Sequence, residues 1–509
     1  MINESSRVLA AIAAHAQQTP HKLALEDGAG CGLVYAQMIS EISRVGDELH
    51  AYSPAAIGIF MDNTPAWAVV DLAAVQAEIP CVPIPLFFSP AQVAHLINSA
   101  GIALLLTDQA QAMESLFAGV GVSCESAAQI QIAGQTVSLF QLKPFQSKST
   151  VAEKIPVGIA KITFTSGTTG DPKGVCLTQQ TMETVAVSLR DACAADDEER
   201  HLCALPLATL LENIGGIYVP LLAGGTCILP GLAAVGMRGS SGLDAQRFLE
   251  ALICFRASTC ILIPQMLLAL CAAVQQSGEK PQTLRYLAVG GAPVSLAQLE
   301  QAAVLGLPVF EGYGLSEAGS VVAVNAPDAL RAGTVGKPLA HVRLDVADDG
   351  EIMVAGALFS GYLGQKTPAL VGDYYATGDI GHLDEDGFLH ITGRKKHIFI
   401  TAFGRNVSPE WVERELTIQP GIAQAVVFGE ARPFNVAVLT VRDGIDAAVV
   451  EQCVAAANDG LPDYARVSRW ILTDAPFSVA NGLFTGTGRP RREAILQIYG
   501  EQIKSIYEE

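Results

Sequence analysis

The stretch Ile162-Thr-Phe-Thr-Ser-Gly-Thr-Thr-Gly-Asp-Pro-Lys-Gly174 gathers residue types that hold phosphate. An apolar run that reads as a strand ends in alternating glycines and hydroxyls, with a lysine beyond a proline. Gly167 and Gly170 let the backbone turn tightly, so that N–H groups converge on anionic oxygens. Thr165, Ser166, Thr168 and Thr169 add hydroxyl donors, and Lys173 adds a compact cation. A polar hairpin is the plain alternative for any Gly/Ser/Thr loop, but this density of donors beside one lysine favours a nucleotide. A Walker A loop is excluded, because Lys173 follows Pro172 and precedes Gly174.

Four further segments follow: Val289-Gly-Gly-Ala-Pro293, Glu311-Gly-Tyr-Gly-Leu-Ser-Glu317, Tyr374-Tyr-Ala-Thr-Gly-Asp379 and Gly393-Arg-Lys-Lys396. With the first loop they resemble, in order, the signature of the adenylate-forming superfamily. Acyl-CoA synthetases, peptide-synthetase adenylation domains and luciferases belong to it, and the pattern here is most like long-chain fatty-acid–CoA ligases. The resemblance implies that Gly291, Ala292 and Pro293 admit the flat adenine and that Tyr313 stacks on it. Gly314 is then part of the ATP site, Ser316 touches the α-phosphate, and Glu317 holds Mg²⁺, which a carboxylate can anchor while the ion bridges phosphate oxygens. It further implies Asp379 on the ribose hydroxyls, Arg394 near ribose and α-phosphate, and Lys396 as the pivot of a domain rotation. Taken alone, Tyr313 reads as a core aromatic, Glu317 as a helix-start charge and the basic run as surface. A serine nucleophile elbow fails, since Gly314-Leu-Ser316-Glu-Ala318 lacks the final glycine.

Phe403-Gly-Arg-Asn-Val-Ser-Pro-Glu410 resembles the loop that swings in for thioester formation, with Gly404 and Arg405 on the coenzyme A side. Two departures from the family stand out. The terminal segment Asn481-Gly-Leu-Phe-Thr-Gly-Thr-Gly-Arg-Pro-Arg-Arg492 carries Arg489 where a lysine normally meets the substrate carboxylate, and a guanidinium fork is not equivalent to an ammonium. In Leu205-Pro-Leu-Ala-Thr-Leu-Leu-Glu212, which resembles the acyl-pocket motif, Thr209 replaces the usual histidine. Glu212 and Gly216 complete the implied acyl pocket.

These residues need a large scaffold. A chain of 509 residues calls for more than one domain. A net charge of −19 disfavours nucleic acid as a partner. Eleven scattered cysteines without a Cys-x-x-Cys pair read as reduced thiols in a cytoplasm, not as a disulfide framework or zinc site. No signal peptide is expected, and Asn213–Met237 and Ala257–Gly278 read as buried strand-and-helix units, not membrane spans.

Through the first 330 residues or so, short apolar runs alternate with helical patterns, among them Ala55–Met61, Pro65–Glu78, Cys81–Leu86, Ser89–Ala100 and Ala103–Thr107. That alternation predicts parallel sheets covered by helices. The expected fold is α/β: a large N-terminal domain, residues 1–394, of two parallel-sheet subdomains plus a small β-barrel-like one. A hinge at 395–396 and a small mobile α+β domain, 397–509, complete it.

The function so implied is an AMP-forming acid–thiol ligase using ATP, Mg²⁺ and coenzyme A on a medium- or long-chain fatty acid. Two alternatives stay open: a catalytically degenerate binder of nucleotide or acyl ligands, suggested by Arg489, and a ligase that loads the phosphopantetheine of a carrier protein.

Overall fold

The computed structural model describes residues 5–30, 32–120, 122–143, 155–165, 172–238, 242–292, 294–365, 370–403, 405–442, 444–485 and 489–508. Two large sheets dominate it. In the first, Ile159–Thr165, Cys81–Pro83, Ile57–Phe60 and Leu104–Thr107 run parallel as neighbours. Antiparallel strands flank them, with Lys173–Thr178 and then Gly361–Tyr362 on one side. In the second sheet, Val309–Tyr313, Tyr286–Val289, Thr259–Leu262, Arg200–Leu202, Thr226–Ile228 and Leu23–Glu26 are parallel. The strand Ile57–Phe60 is buried at every position, as expected where helices cover both faces.

The expected run Cys81–Leu86 is a strand only over Cys81–Pro83. Ile84 N–H still donates to the Ile59 carbonyl at 2.8 Å, but Pro85 brings no N–H donor and the pairing ends there. The helix Pro65–Gln76 starts on a Thr64 cap with proline in its first turn and buries every residue from Pro65 to Val75. One of these is Asp71, which meets Lys161 at 2.7 Å. Its carboxylate also accepts from Asn213 at 3.1 Å and from Tyr218 at 3.0 Å. A buried ion pair is tolerable when further hydrogen bonds complete it. This one ties the strand leading to Thr165 to a π-helix at Asn213–Tyr218.

That π-helix opens the first long uncharged stretch, and the second is the strand Thr259–Leu262 followed by the helix Pro264–Ser277. No helix among the described residues is long and apolar enough to cross a membrane. The ten described cysteines are free thiols.

The β-rich piece is an antiparallel sheet of Arg343–Val346, Glu351–Ala355, Tyr374–Leu383 and Leu370–Val371, with Leu389–Arg394 paired to Tyr374–Leu383. The Asp384–Gly387 run turns the hairpin between these last two strands, its carboxylates held by Arg331. Beyond it, Ile422–Phe428, Asn435–Val441 and Val467–Leu472 form a three-stranded sheet packed by the helices Pro409–Ile418 and Ala447–Asp459 around a core of its own. The helix Arg492–Glu508 covers a second apolar cluster there.

Candidate functional site

The strands Ile159–Thr165 and Lys173–Thr178 pair antiparallel, with Thr165 opposite Lys173. The hydroxyl-rich loop is therefore the connection of a hairpin, and Lys173 stands where it re-enters the sheet. Ser166, Gly167, Thr168, Thr169 and Gly170 lie outside the described residues, as do Pro293 and Gly404. The ring of His95 meets the Pro172 carbonyl at 3.1 Å, beside Lys173.

Tyr313 ends the strand Val309–Tyr313, and its hydroxyl donates to Asp379 Oδ2 at 2.6 Å. Asp379 Oδ1 takes Arg394 Nε at 2.6 Å, because Asp379 and Arg394 are register partners on adjacent strands. Burial raises the Asp379 carboxyl above its ordinary value, opposed by Arg394, Tyr313 and Arg489. A carboxylate has about four lone-pair sites, so Asp379 keeps capacity for further hydroxyl donors. Gly314 follows Tyr313 where no side chain fits: a Cβ there would stand 1.8 Å from the Ser320 carbonyl oxygen. Ser316 and Glu317 then form a short 3₁₀ turn and are half-buried.

Arg489 reaches across from the C-terminal part, donating to the Gly291 carbonyl at 2.9 Å. Gly291 and Ala292 are exposed, as is Arg489, so this contact lies in an open cleft. Lys396 lies in the same field: partial burial, then the cations of Arg394 and Arg489, lower its pKa, while Glu410 and Asp379 raise it. Glu410 is held by His397. Arg394, Arg489 and Lys396 thus share one field with the carboxylates of Asp379, Glu410 and Glu317, and an anion entering it meets cations from both parts of the chain.

Sequence reasoning missed Tyr362. Its hydroxyl donates to Glu317 Oε1 at 2.6 Å, and Lys173 Nζ stands 5.4 Å from its ring centre. No motif signals it; the pairing of Gly361–Tyr362 with Lys173–Thr178 brings it there. Glu311 was named only within its motif. Burial pushes its carboxyl up to about 7, against the pull of Arg414.

The acyl-side residues gather elsewhere. Glu212 is fully buried, and its Oε1 meets His201 Nε2 at 3.2 Å. Cys203 joins them, all three offering atoms within 4.8 Å of one another. Burial raises the Glu212 carboxyl, opposed by His201 and Cys203. Gly216 closes the group: a Cβ there would lie 2.7 Å from Glu212 Oε1 and 2.9 Å from Cys203 Sγ. Thr209 takes no part, since its hydroxyl donates to the Pro206 carbonyl at 2.6 Å. Arg405 is exposed, its backbone paired with Thr401 in a tight turn.

Comparison with known proteins places the chain in a family. Over 99% of its length the chain is 26% identical to a long-chain-fatty-acid–CoA ligase, FadD15, of Mycobacterium bovis, covering 98% of it. It is 27% identical to a 2-succinylbenzoate–CoA ligase of Staphylococcus aureus over 81% of this chain and 85% of that protein. The o-succinylbenzoate CoA synthetase MenE of Bacillus subtilis, solved with ATP and magnesium ion, superposes with a TM-score of 0.74 at 21% identity, covering 95% of this chain and 98% of that one. The sequence profile of the AMP-binding enzyme family matches residues 12–375, and that of the AMP-binding enzyme C-terminal domain matches 396–509. The chain belongs to the AMP-binding enzyme family.

Proposed function

We propose that this chain is an AMP-forming ligase that joins a carboxylic acid to coenzyme A, and that the acid is a medium- or long-chain fatty acid. A substrate carboxylate oxygen attacks the α-phosphorus of ATP, the bond to pyrophosphate breaks, and an acyl-adenylate forms. The thiol sulfur then attacks the acyl carbon and AMP leaves.

The observation that carries this reading is the convergence on Asp379: Tyr313 and Arg394 bond its two oxygens, and Arg489 and Lys396 share its field. In the proposed roles, Asp379 accepts from the ribose hydroxyls and the Tyr313 ring lies against adenine beside Gly291 and Ala292. Thr165, Ser316 and Lys173 meet the phosphates, and Arg394 and Arg489 steady the charge that builds at the α-phosphate. The half-buried Glu317 carboxylate offers the hard oxygen that Mg²⁺ prefers, and Tyr362 occupies only one of its two oxygens, so the residues present fit a nucleotide-bound ion. That ion supplies charge neutralisation on the phosphates.

Arg489 against Gly291 is the arrangement suited to the first half-reaction. Rotation at Lys396, between the proposed domains 1–394 and 397–509, brings Gly404 and Arg405 in for the second. Thr209, Glu212 and Gly216 are proposed on the acyl side. The fatty acid rests on the likeness to FadD15, while two other proteins like this chain are named for succinylbenzoate.

ATP–pyrophosphate exchange across acids of graded chain length tests the reading. Exchange that peaks with a fatty acid supports it, and exchange confined to aromatic acids moves the substrate to that class. Absence of exchange in the wild type, restored by Arg489→Lys, favours the degenerate binder. AMP release that requires coenzyme A separates it from a carrier-protein ligase.

A further inference from the structure

Tyr362 touches two residues that the proposed function assigns to the nucleotide, and it belongs to neither motif. Its hydroxyl gives Glu317 Oε1 a bond of 2.6 Å and lies 3.4 Å from the Tyr375 hydroxyl. Its ring face looks at Lys173 Nζ from 5.4 Å. Phe359 packs edge-on against both tyrosine rings, at 5.1 Å and 5.3 Å, which fixes their planes.

This geometry makes the two oxygens of Glu317 unequal. Oε1 is engaged by a short, oriented hydrogen bond, and Oε2 is the oxygen that Tyr362 leaves to another partner. Mg²⁺ demands a small, near-octahedral shell, whereas Ca²⁺ accepts carboxylates through both oxygens. An outer hydrogen bond of this kind governs how a carboxylate presents itself to an ion.

We propose that Tyr362 is a positioning and specificity-determining residue: by holding Oε1 it makes Glu317 a one-oxygen ligand and biases the nucleotide-bound site towards Mg²⁺ over Ca²⁺. The inference rests on the reading of Glu317 as the carboxylate that faces the ion. It goes further in stating which oxygen Glu317 offers, and why.

Tyr362→Phe is the decisive variant, because it removes the hydroxyl and keeps the ring face and the Phe359 packing. Full-length protein with a non-hydrolysable ATP analogue is loaded with Mn²⁺, and displacement by Mg²⁺ and by Ca²⁺ is followed by electron paramagnetic resonance. In the wild type Mg²⁺ displaces Mn²⁺ at lower concentration than Ca²⁺ does. In Tyr362→Phe the Mg²⁺-to-Ca²⁺ preference falls by about tenfold, with the thermal midpoint held near that of the wild type.

Glu317→Gln separates the two layers of the argument. Unchanged Mn²⁺ binding in that variant overturns the reading of Glu317 itself. Lost binding in Glu317→Gln, with an unaltered preference in Tyr362→Phe, overturns only the positioning role. Equal displacement by the two ions in the wild type overturns it without any variant.

Discussion

The polar clusters around Asp379 and around Glu212 are built in opposite ways. Around Asp379, side chains from distant segments meet in a cleft where Arg489, Lys396 and Gly291 remain exposed. Around Glu212, His201 and Cys203 come from the same short stretch of chain and are all buried. The first sets three cations beside a carboxylate with lone pairs to spare. The second turns inward, with Gly216 stripped of a Cβ so that the π-helix can settle onto the strand carrying His201. Polar groups facing open space are arranged for a ligand, whereas groups that mainly face one another hold an element in place. One Glu212 oxygen lacks a hydrogen-bond partner, and burial raises the pKa of this carboxyl.

The contrast is sharpest under substitution. Asp379→Ala removes the shared acceptor of Tyr313 and Arg394 and is expected to cut ATP–pyrophosphate exchange by about 10³-fold. A near wild-type rate would break the comparison at its open end. Next in size is a pH effect at Glu311, whose carboxyl sits at about 7 when folded against 4.5 as its ordinary value. The folded chain keeps this proton between those limits while the unfolded chain loses it, so stability falls as pH rises from 4.5 to 7 and stays reduced above. Glu311→Gln removes that contribution and gains about 3 kcal/mol at most above pH 7, read as a shallower fall of the unfolding midpoint with pH over that window.

Gly216→Ala tests the closed cluster. A Cβ set 2.7 Å from Glu212 Oε1 overpacks it and costs about 2 kcal/mol of stability, seen as a lower thermal midpoint. Affinity for an ATP analogue, measured by calorimetry, stays unchanged; a parallel loss would show that the two clusters are coupled. Arg489→Lys carries the smallest expected effect. The charge remains, but the fork that meets the Gly291 carbonyl is gone, so the exchange rate changes less than in Asp379→Ala.

Much of the open cluster was legible because its parts are local. Tyr313, Glu317, Asp379 and Arg394 sit in short motifs whose residue types state their chemistry, and alternating apolar runs announced the sheets. Tyr362 was not legible, since a Gly-Tyr pair on a two-residue strand carries no local signal, and only cross-strand pairing sets it beside Lys173. The π-helix was also missed, because its apolar sequence reads equally well as ordinary helix.

The sequence by itself determined which functional groups exist, their order along the chain and the family they mark. Tertiary structure alone decided that Asp379 is shared by Tyr313 and Arg394, that Tyr362 holds one oxygen of Glu317, and that Glu212 turns to His201. Residue type is a local property. Which oxygen faces which donor depends on strand register and on packing between segments far apart in the chain, and those are fixed only when the whole core closes.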